Sequence, residues 1–340
     1  MDKEGFRTML RERKLNEETI QASIEVAGKF EEFCEAKKKS ASTETAWQFS
    51  SRLIEEGRNT QENYFALARY GRFMKNNDLF VAFLEMLDGA EAQPRLYDLV
   101  AKAFGEAVRD EVFTGIGIAP LGLSAPEKPY YMQPVVERLE GKVGDEKCRR
   151  LLSGCLRDLP ARYFLGERRK FRKARDIDEY ISKRRRGFMQ ELEKCQAEGR
   201  LFFAQEINDD VLALVESDPE IESGRRAGNM LYISKIPYMA RRYLAESDPE
   251  MKRYYYCHCP WAREAIRTGD VRFAKTFCYC SAGFYKKPWE VILDQPVEVD
   301  VLESVLQGGS RCRFAIHLPA DAVPVNDGLP ISREMKNSKR

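Results

Sequence analysis

The cysteines of this sequence are crowded into one region. Five of the nine lie between Cys257 and Cys312, and four of these form two Cys-x-Cys pairs, Cys257 with Cys259 and Cys278 with Cys280. Thiolate sulfurs are soft ligands that suit zinc or an iron–sulfur cluster, and four of them complete a tetrahedral zinc site. If the two pairs lie side by side, the spacing predicts a metal site whose ligands are these four cysteines.

Paired strands are the arrangement that we expect to bring the two pairs together. The run YYYCHC favours a strand that ends at Pro260, with Cys257 and Cys259 on one face and His258 on the other. We expect the residues around Cys278 to repeat this arrangement. Alternate residues of a strand lie roughly 6.6 Å apart, whereas two sulfurs on one zinc lie roughly 3.8 Å apart. A reduced cluster of buried or ligand-lining thiols therefore stays open as an alternative.

Cys280 is also the best candidate for a nucleophile. The sequence predicts a helix over residues 281–293, and the N-terminus of a helix favours a thiolate. The only histidines, His258 and His317, are the candidates for the base that such a nucleophile needs. We expect Cys312 to be a core residue, to line the site beside Cys280 or to replace a metal ligand, and His258 to contact a bound cofactor or ligand.

A longer pattern ends the chain: a cysteine, a glycine-bearing helix, a hairpin signalled by residues 307–310, and a final Cys-x-Phe. Its members are Cys280, Gly283, Trp289, Glu290, Pro296, Val297, Glu303, Gly308, Cys312, Phe314 and Ile316. This order resembles the ending of 4-vinyl-reductase-like ligand domains and of aminothiazoline-carboxylate-hydrolase-like proteins. The resemblance implies an α+β pocket for a small hydrophobic or metal-bearing ligand, and the hydrolase members imply opening of a cyclic amide-like ring.

The cysteine pairs extend this resemblance. The runs YYYCHCPWARE, FCYCSAGFYKKPWE and CRFAIHLP resemble an uncharacterised bacterial family that joins the same ending to paired Cys-x-Cys segments. Cys257, Cys259 and Cys278 are absent from the simpler members. These additional thiols favour a metal over inherited hydrolase activity.

Residues 5–88 predict a bundle of short helices. Asn16 and Thr60 suit helix N-termini, and Gly57 and Gly89 suit helix ends. The runs LRERKLNEETIQASIEVAGKFEEFC and FSSRLIEEGRNTQENYFALARYGRFM resemble the SAM-like core-binding domain of tyrosine recombinases. The recombinase His-x-x-Arg motif is missing from the chain, so the resemblance implies nucleic-acid binding without recombination.

A basic stretch gives the nucleic-acid alternative its second support. Residues 162–186 contain eleven basic and four acidic residues, and a helix of this composition could line a phosphate backbone. The other interpretation is a solvated helical face. The tetrapeptide SDPE, at residues 217–220 and 247–250, predicts a helix start at each place.

The whole sequence sets limits on compartment and partners. With 54 acidic and 56 basic residues, the net charge of +2 indicates no particular partner. No apolar run approaches the roughly 20 residues that cross a bilayer, and the first residues lack the apolar segment of a secretory signal. We expect a cytoplasmic protein with no membrane partner, whose dispersed cysteines are reduced and buried. These are Cys34, Cys148, Cys155 and Cys195.

Together these patterns predict an α+β fold with a helical bundle, a mostly helical connector and a C-terminal antiparallel sheet with packed helices. The predicted boundaries are 1–90, 91–135 with a Gly/Pro-rich crossing at 114–134, 136–325, and a tail at 326–340. The leading hypothesis is a cytoplasmic protein that binds zinc, an iron–sulfur cluster or a small ligand. The alternatives are a cysteine-dependent hydrolase of small cyclic amide-like substrates and a nucleic-acid-binding protein.

Overall fold

The N-terminal segment forms the predicted helical bundle. A computed structural model describes residues 1–154 and 156–320; Cys155 and the predicted tail at 326–340 lie outside them. The bundle helices are α1 (Lys3–Glu12), α2 (Glu17–Lys37), α3 (Thr43–Glu55), α4 (Gln61–Phe73) and α5 (Asn77–Leu87). The side chains of Asn16 and Thr60 accept hydrogen bonds from backbone amides of the first turns of α2 and α4, as their positions predict. Phe30 packs edge-on against Phe49 and Phe83 in the core.

Four further helices build a second core. They are α6 (Ala92–Phe104), α7 (Glu106–Phe113), α8 (Lys128–Val143) and α9 (Asp145–Leu152). Buried residues of these helices, among them Leu96 and Leu139, pack with Trp261 and Phe277 from much later in the chain. This core therefore joins residues from both sides of the boundary predicted at residue 135, and the domain boundaries stay a prediction.

The Gly/Pro-rich crossing packs onto the bundle at Gly122. The carbonyl of Gly122 accepts a hydrogen bond of 2.6 Å from Ser50 Oγ, and Ser50 Oγ lies 2.7 Å from the hydroxyl of Tyr64. The φ angle of Gly122 is 89°, in the region that favours glycine. The Tyr64 hydroxyl occupies the space that a Cβ atom at position 122 would take. Glycine is therefore required here on two independent grounds.

Replacing Gly122 by alanine is expected to lower the free energy of unfolding by about 2–4 kcal/mol, because the new Cβ strains the backbone and overlaps Tyr64. Denaturant titration measures the loss. Gly141→Ala in α8 is the matched control, since a Cβ there meets nothing within 4 Å, and it should change stability by less than about 1 kcal/mol. Equal losses in the two variants would contradict the constraint at Gly122.

The C-terminal half contains several helices and a small sheet. The helices are α10 (Leu165–Arg172), α11 (Ile177–Ala197), α12 (Asp209–Ser217), α13 (Ala240–Ala245), α14 (Pro249–Tyr256), α15 (Arg263–Thr268) and α16 (Tyr279–Leu293). The strands are β1 (Arg225–Ala227), β2 (Met230–Ser234), β3 (Glu298–Glu303) and β4 (Arg313–His317). No described helix has the length and apolar character that crossing a membrane requires.

The sheet is antiparallel throughout, with the strand order β1-β2-β4-β3. In the register, Ile316 of the last strand pairs with Leu231 on one side and with Val299 on the other. These apolar side chains are buried against Trp289 of α16 and against α10 and α11. The α+β fold and the hairpin between β3 and β4 are thus confirmed.

The strands predicted around the cysteine pairs are wrong. Residues 254–256 end helix α14, and residues 275–278 form a single 3-10 turn before α16. Asp248 accepts a hydrogen bond from the amide of Met251, and Pro249 stands in the first turn, so a capped helix has already begun before the three tyrosines. This cap outweighs the strand preference of the tyrosines. The alternation of side chains across a strand therefore positions neither pair.

The two SDPE segments differ. The second one starts α14 as predicted, whereas the first one follows the end of α12, with Asp218 at the C-terminal cap. After Asp218 the chain turns and Glu220 enters the interior, where Arg313 donates to both carboxylate oxygens at 2.6 and 2.8 Å. A buried bidentate ion pair at Glu220 thus takes the place of a helix start.

The basic stretch is divided between α10 and α11. Its cations are used within the chain: Lys183 pairs with Glu179 at 2.9 Å, and Arg185 donates to the carbonyls of Val215 and Glu216 at the end of α12 at 2.8 and 3.0 Å. Cations at a helix C-terminus are favourable. Part of the basic stretch therefore has partners within the chain itself. Nucleic-acid binding stays a prediction.

A candidate ligand cavity at the cysteine region

A cavity of about 1170 Å³ lies between the bundle and the C-terminal half. Its walls come from α4 and α5 on one side, and from α10, α11, α16 and residues 202–205 on the other. Eleven aromatic side chains line it: Phe65, Phe164, Tyr180, Phe188, Phe202, Phe203, Tyr238, Trp261, Phe284, Tyr285 and Trp289. The volume and the aromatic lining are typical of a site for a small organic molecule, with room to spare.

Large apolar side chains are exposed around this cavity. Phe203 is 80% exposed, and Phe65 and Phe284 are 43% and 42% exposed, although all three line the cavity. Phe203 also adopts a positive φ of 52°, which a non-glycine residue rarely does. Exposed aromatic rings that converge on one concavity mark a place where an apolar molecule would be covered.

The cavity collects three of the residues that the sequence singles out. Cys259, Cys280 and His258 line it. Cys280 is the second residue of α16, so the thiol stands in the first turn of a helix of 15 residues, as predicted. Cys257 and Cys312 lie instead in a neighbouring apolar cluster, which Cys259 also contacts. The two Cys-x-Cys pairs therefore both reach the cavity, each with its second cysteine.

The thiols around the cavity are close neighbours in a nonpolar environment. The pKa of Cys257 is well above its ordinary value, first because the thiol is buried and then because Cys259, Cys312 and Cys278 lie nearby. Burial also raises the pKa of Cys259, Cys278 and Cys312. With no metal bound, these four thiols are consequently protonated at neutral pH, and a thiol is a much weaker nucleophile than a thiolate.

Within residues 1–154 and 156–320, no three cysteine, histidine or acidic side chains converge so that they could hold a metal ion. Cys278 Sγ lies 2.8 Å from the hydroxyl oxygen of Ser304. A zinc or iron–sulfur site on Cys257, Cys259, Cys278 and Cys280 stays a prediction. The thiols of the described residues are neighbours, but their side chains are not arranged as the ligands of one metal ion.

His258 is held as a neutral imidazole. Its Nε2 lies 2.5 Å from the backbone carbonyl of Ile236. Because a carbonyl only accepts, Nε2 carries the proton and Nδ1 is the free acceptor. Burial lowers the pKa of His258 to about 3, so the ring is a weak base at neutral pH. His258 and Cys280 share the cavity, but this ring is better suited to a hydrogen bond than to proton abstraction.

His317 lies outside the cavity lining. It is on β4, where its Nε2 is 2.7 Å from the Asp300 carboxylate of the neighbouring strand β3, and its side chain is 42% exposed. The cross-strand pair accounts for His317 as a surface residue of the sheet. Its assignment as the base for Cys280 stays a prediction with no contact to support it.

A buried polar group, absent from the residues singled out in the sequence, completes the cavity. Lys235 follows β2 and is 8% exposed, with Nζ 5.6 Å from the ring centroid of Phe284 and 5.9 Å from that of Tyr285. The hydroxyl of Tyr285 lies 3.5 Å from the Glu222 carboxylate. One signal for Lys235 was present in the sequence: a lysine inside the mostly apolar run LYISKIP.

Glu222 is positioned by the backbone around Lys235. The Glu222 Oε1 atom accepts a hydrogen bond of 3.1 Å from the amide of Ile236, and the Glu222 amide donates to the carbonyl of Ser234 at 2.9 Å. Burial raises the pKa of the Glu222 carboxyl, against the opposing effects of the Ile236 amide and of Lys235. A lysine and a carboxyl group thus line an aromatic cavity from two neighbouring segments of the chain.

The comparisons with known proteins match the cysteine region. Residues 240–323 match the model of a family of unknown function (DUF6144). The matched segment contains α13 to α16, the hairpin β3–β4 and all five clustered cysteines. No curated protein and no solved structure matches the chain.

Proposed function

We propose that the chain binds a small organic molecule with an apolar, ring-containing body in the cavity between the bundle and the C-terminal half. The observation that carries this proposal is a cavity of about 1170 Å³ with aromatic walls. Ligand sites for small molecules commonly have volumes of roughly 300–1,000 Å³ and are lined by apolar side chains with a few polar groups. The volume of this cavity lies slightly above that range.

The burial of four of the cysteines supports a role for them in the wall of a ligand cavity. Cys257, Cys259, Cys278 and Cys312 have raised pKa values because they are buried, and a protonated thiol is a small apolar side chain. In this interpretation the Cys259 thiol is an apolar, polarisable part of the cavity wall, and Cys257 and Cys312 belong to the apolar cluster next to that wall. The resemblance to 4-vinyl-reductase-like ligand domains points the same way.

Filling the cavity from α11 is the direct test. Gly187 lines the cavity, and a Cβ at this position meets nothing within 4 Å, so Gly187→Trp adds a large side chain without a clash at its base. We expect this variant to bind the neutral fluorescent probe N-phenyl-1-naphthylamine at least about tenfold more weakly than the unmodified chain, because the indole occupies ligand volume. Fluorescence titration measures the affinity.

Gly141→Trp is the matched control, because Gly141 is also a helical glycine with open space around it and lies outside the cavity lining. Its affinity for the probe should equal that of the unmodified chain. Probe binding that is unaffected by Gly187→Trp, or absent in the unmodified chain, would contradict the proposal. Elemental analysis of the same sample separates a metal centre from a ligand cavity, since a metal site requires about one equivalent of zinc or iron per site.

A further inference from the structure

Lys235 places a charged group inside the cavity without an ionic partner. The side chain lines the cavity and is 8% exposed, and no carboxylate of the described residues forms an ion pair with it. Its one side-chain hydrogen bond is a long one, 3.4 Å from Nζ to the hydroxyl of Ser281. An ammonium group removed from water needs an anion or several hydrogen bonds to offset the lost hydration. Within the described chain, Lys235 has neither.

The surroundings of Lys235 stabilise a cation only in part. The faces of Phe284 and Tyr285 lie 5.6 and 5.9 Å from Nζ, at the outer limit of a cation–π contact. The backbone of Lys235 is fixed from both sides, because its amide donates to the carbonyl of Cys312 at 3.1 Å and its carbonyl accepts from the Tyr256 hydroxyl at 2.5 Å. The backbone at Lys235 is therefore held in place, and the side chain that it carries lines the cavity.

Glu222 and the nearby thiols do not take the place of an anion. Glu222 is near enough for Lys235 to lower the pKa of its carboxyl against the rise that burial causes, but its two oxygens contact the Ile236 amide and the Tyr285 hydroxyl and form no ion pair with Lys235. Lys235 also acts against the raised pKa of Cys259, Cys278 and Cys312, all of which remain above their ordinary value. The anion that the site lacks has to come from outside the described residues.

We infer that the ligand is an aromatic or polycyclic molecule with one anionic group, and that this group binds Lys235 and the Ser281 hydroxyl at the wall formed by α16. The inference rests on the proposed ligand cavity and specifies its ligand class. An anion placed at Nζ would gain a charge-assisted hydrogen bond in a region that excludes water. The aromatic rings of Phe284 and Tyr285 would then cover the ring system next to the anion.

Two probes with the same rings test the assignment. 8-Anilinonaphthalene-1-sulfonate carries a sulfonate, and N-phenyl-1-naphthylamine is its uncharged counterpart. We expect the unmodified chain to bind the sulfonate at least about tenfold more tightly than the neutral probe, because only the sulfonate reaches Lys235. In Lys235→Met the affinity for the sulfonate should fall about 10- to 100-fold while the affinity for the neutral probe stays within about twofold. Lys235→Arg should keep most of the preference.

Lys286→Met is the control for a cation on α16 that lies outside the cavity lining, where Lys286 Nζ is 3.8 Å from the Glu290 carboxylate. This variant should leave the ratio of the two affinities unchanged. Equal affinities of the unmodified chain for the two probes would overturn the inference while leaving the ligand cavity intact. Equal weakening of both probes in Lys235→Met would also overturn it. If neither probe binds the unmodified chain, the proposed function itself fails.

Discussion

Alkaline pH is expected to unfold the chain through its buried thiols. Burial holds the pKa of Cys257 and of Cys278 well above the ordinary value of 9.0. In the unfolded chain these thiols ionise near pH 8.5–9, whereas in the folded chain they stay protonated. The native state then binds more protons, so the stabilisation is complete below about pH 8.5 and is lost as the pH rises further. Each of these thiols lowers the free energy of unfolding by about 1.4 kcal/mol per pH unit in this range.

Lys128 opposes this trend. Burial lowers the pKa of Lys128 to about 8 from the usual 10.5, so between these values the unfolded chain binds one more proton than the folded chain. Stability therefore rises by about 1.4 kcal/mol per pH unit over this interval. Cys257 and Cys278 together outweigh Lys128 by about 1.4 kcal/mol per pH unit above about pH 9, and the raised pKa values of Cys259 and Cys312 add to the loss of stability.

Denaturant titrations in a reducing buffer at several pH values measure this dependence. Above about pH 9, the free energy of unfolding should fall less steeply in the double variant Cys257→Ala, Cys278→Ala than in the unmodified chain, by about 2.7 kcal/mol per pH unit. Near pH 7 the two proteins should show the same dependence of stability on pH. An identical alkaline slope in the two proteins would mean that these thiols ionise in the folded state. That outcome would favour a metal or a nucleophilic role for the cysteines.

Replacing Arg263 by methionine is expected to destabilise the chain by about 3–5 kcal/mol, the usual effect of removing one partner of a buried ion pair. Arg263 Nη2 lies 2.8 Å from the Glu85 carboxylate, and the two side chains are 5% and 7% exposed. The Arg263 guanidinium also lies 4.7 Å from the ring centroid of Tyr238 and 5.3 Å from that of Tyr254. The variant leaves the Glu85 carboxylate buried without its partner in the core where α5 meets α15.

Denaturant titration at neutral pH checks this value, and the double variant Arg263→Met, Glu85→Leu should recover most of the loss because it removes both charges. The matched surface pair is Arg150 with Glu146, whose side chains are 79% and 85% exposed; Arg150→Met should change stability by less than about 0.5 kcal/mol. A similar small effect for Arg263→Met would show that water reaches the pair.

The elements that the sequence predicts well are those whose signals are local. Asn16 and Thr60 cap their helices as expected, and the turn at residues 307–310 joins two strands, because capping and turn formation depend on neighbouring residues. Around Tyr254 two local signals compete, and the cap at Asp248 determines the outcome. The helix start predicted at the first SDPE is wrong because a distant contact determines the structure there: the partner of Glu220 is Arg313, far away in the chain.

The candidate site is less accessible to sequence reasoning. Crowding of cysteines predicts that thiols gather, and Cys257, Cys259, Cys278 and Cys312 do lie close enough to affect one another's pKa. The cavity itself could not be predicted, because its walls combine residues from Phe65 to Trp289, and no spacing rule relates positions on separate helices.

The position of the cavity between two packed units has a consequence for communication along the chain. Leu84 of the bundle and Trp289 of α16 face the same volume, so a bound molecule would contact both units and hold them together. Binding at two sites is coupled reciprocally. A partner that moves the bundle away from α16 must therefore also lower the affinity of the cavity for its ligand. Ligand binding in the cavity would thus change the affinity of the bundle for such a partner.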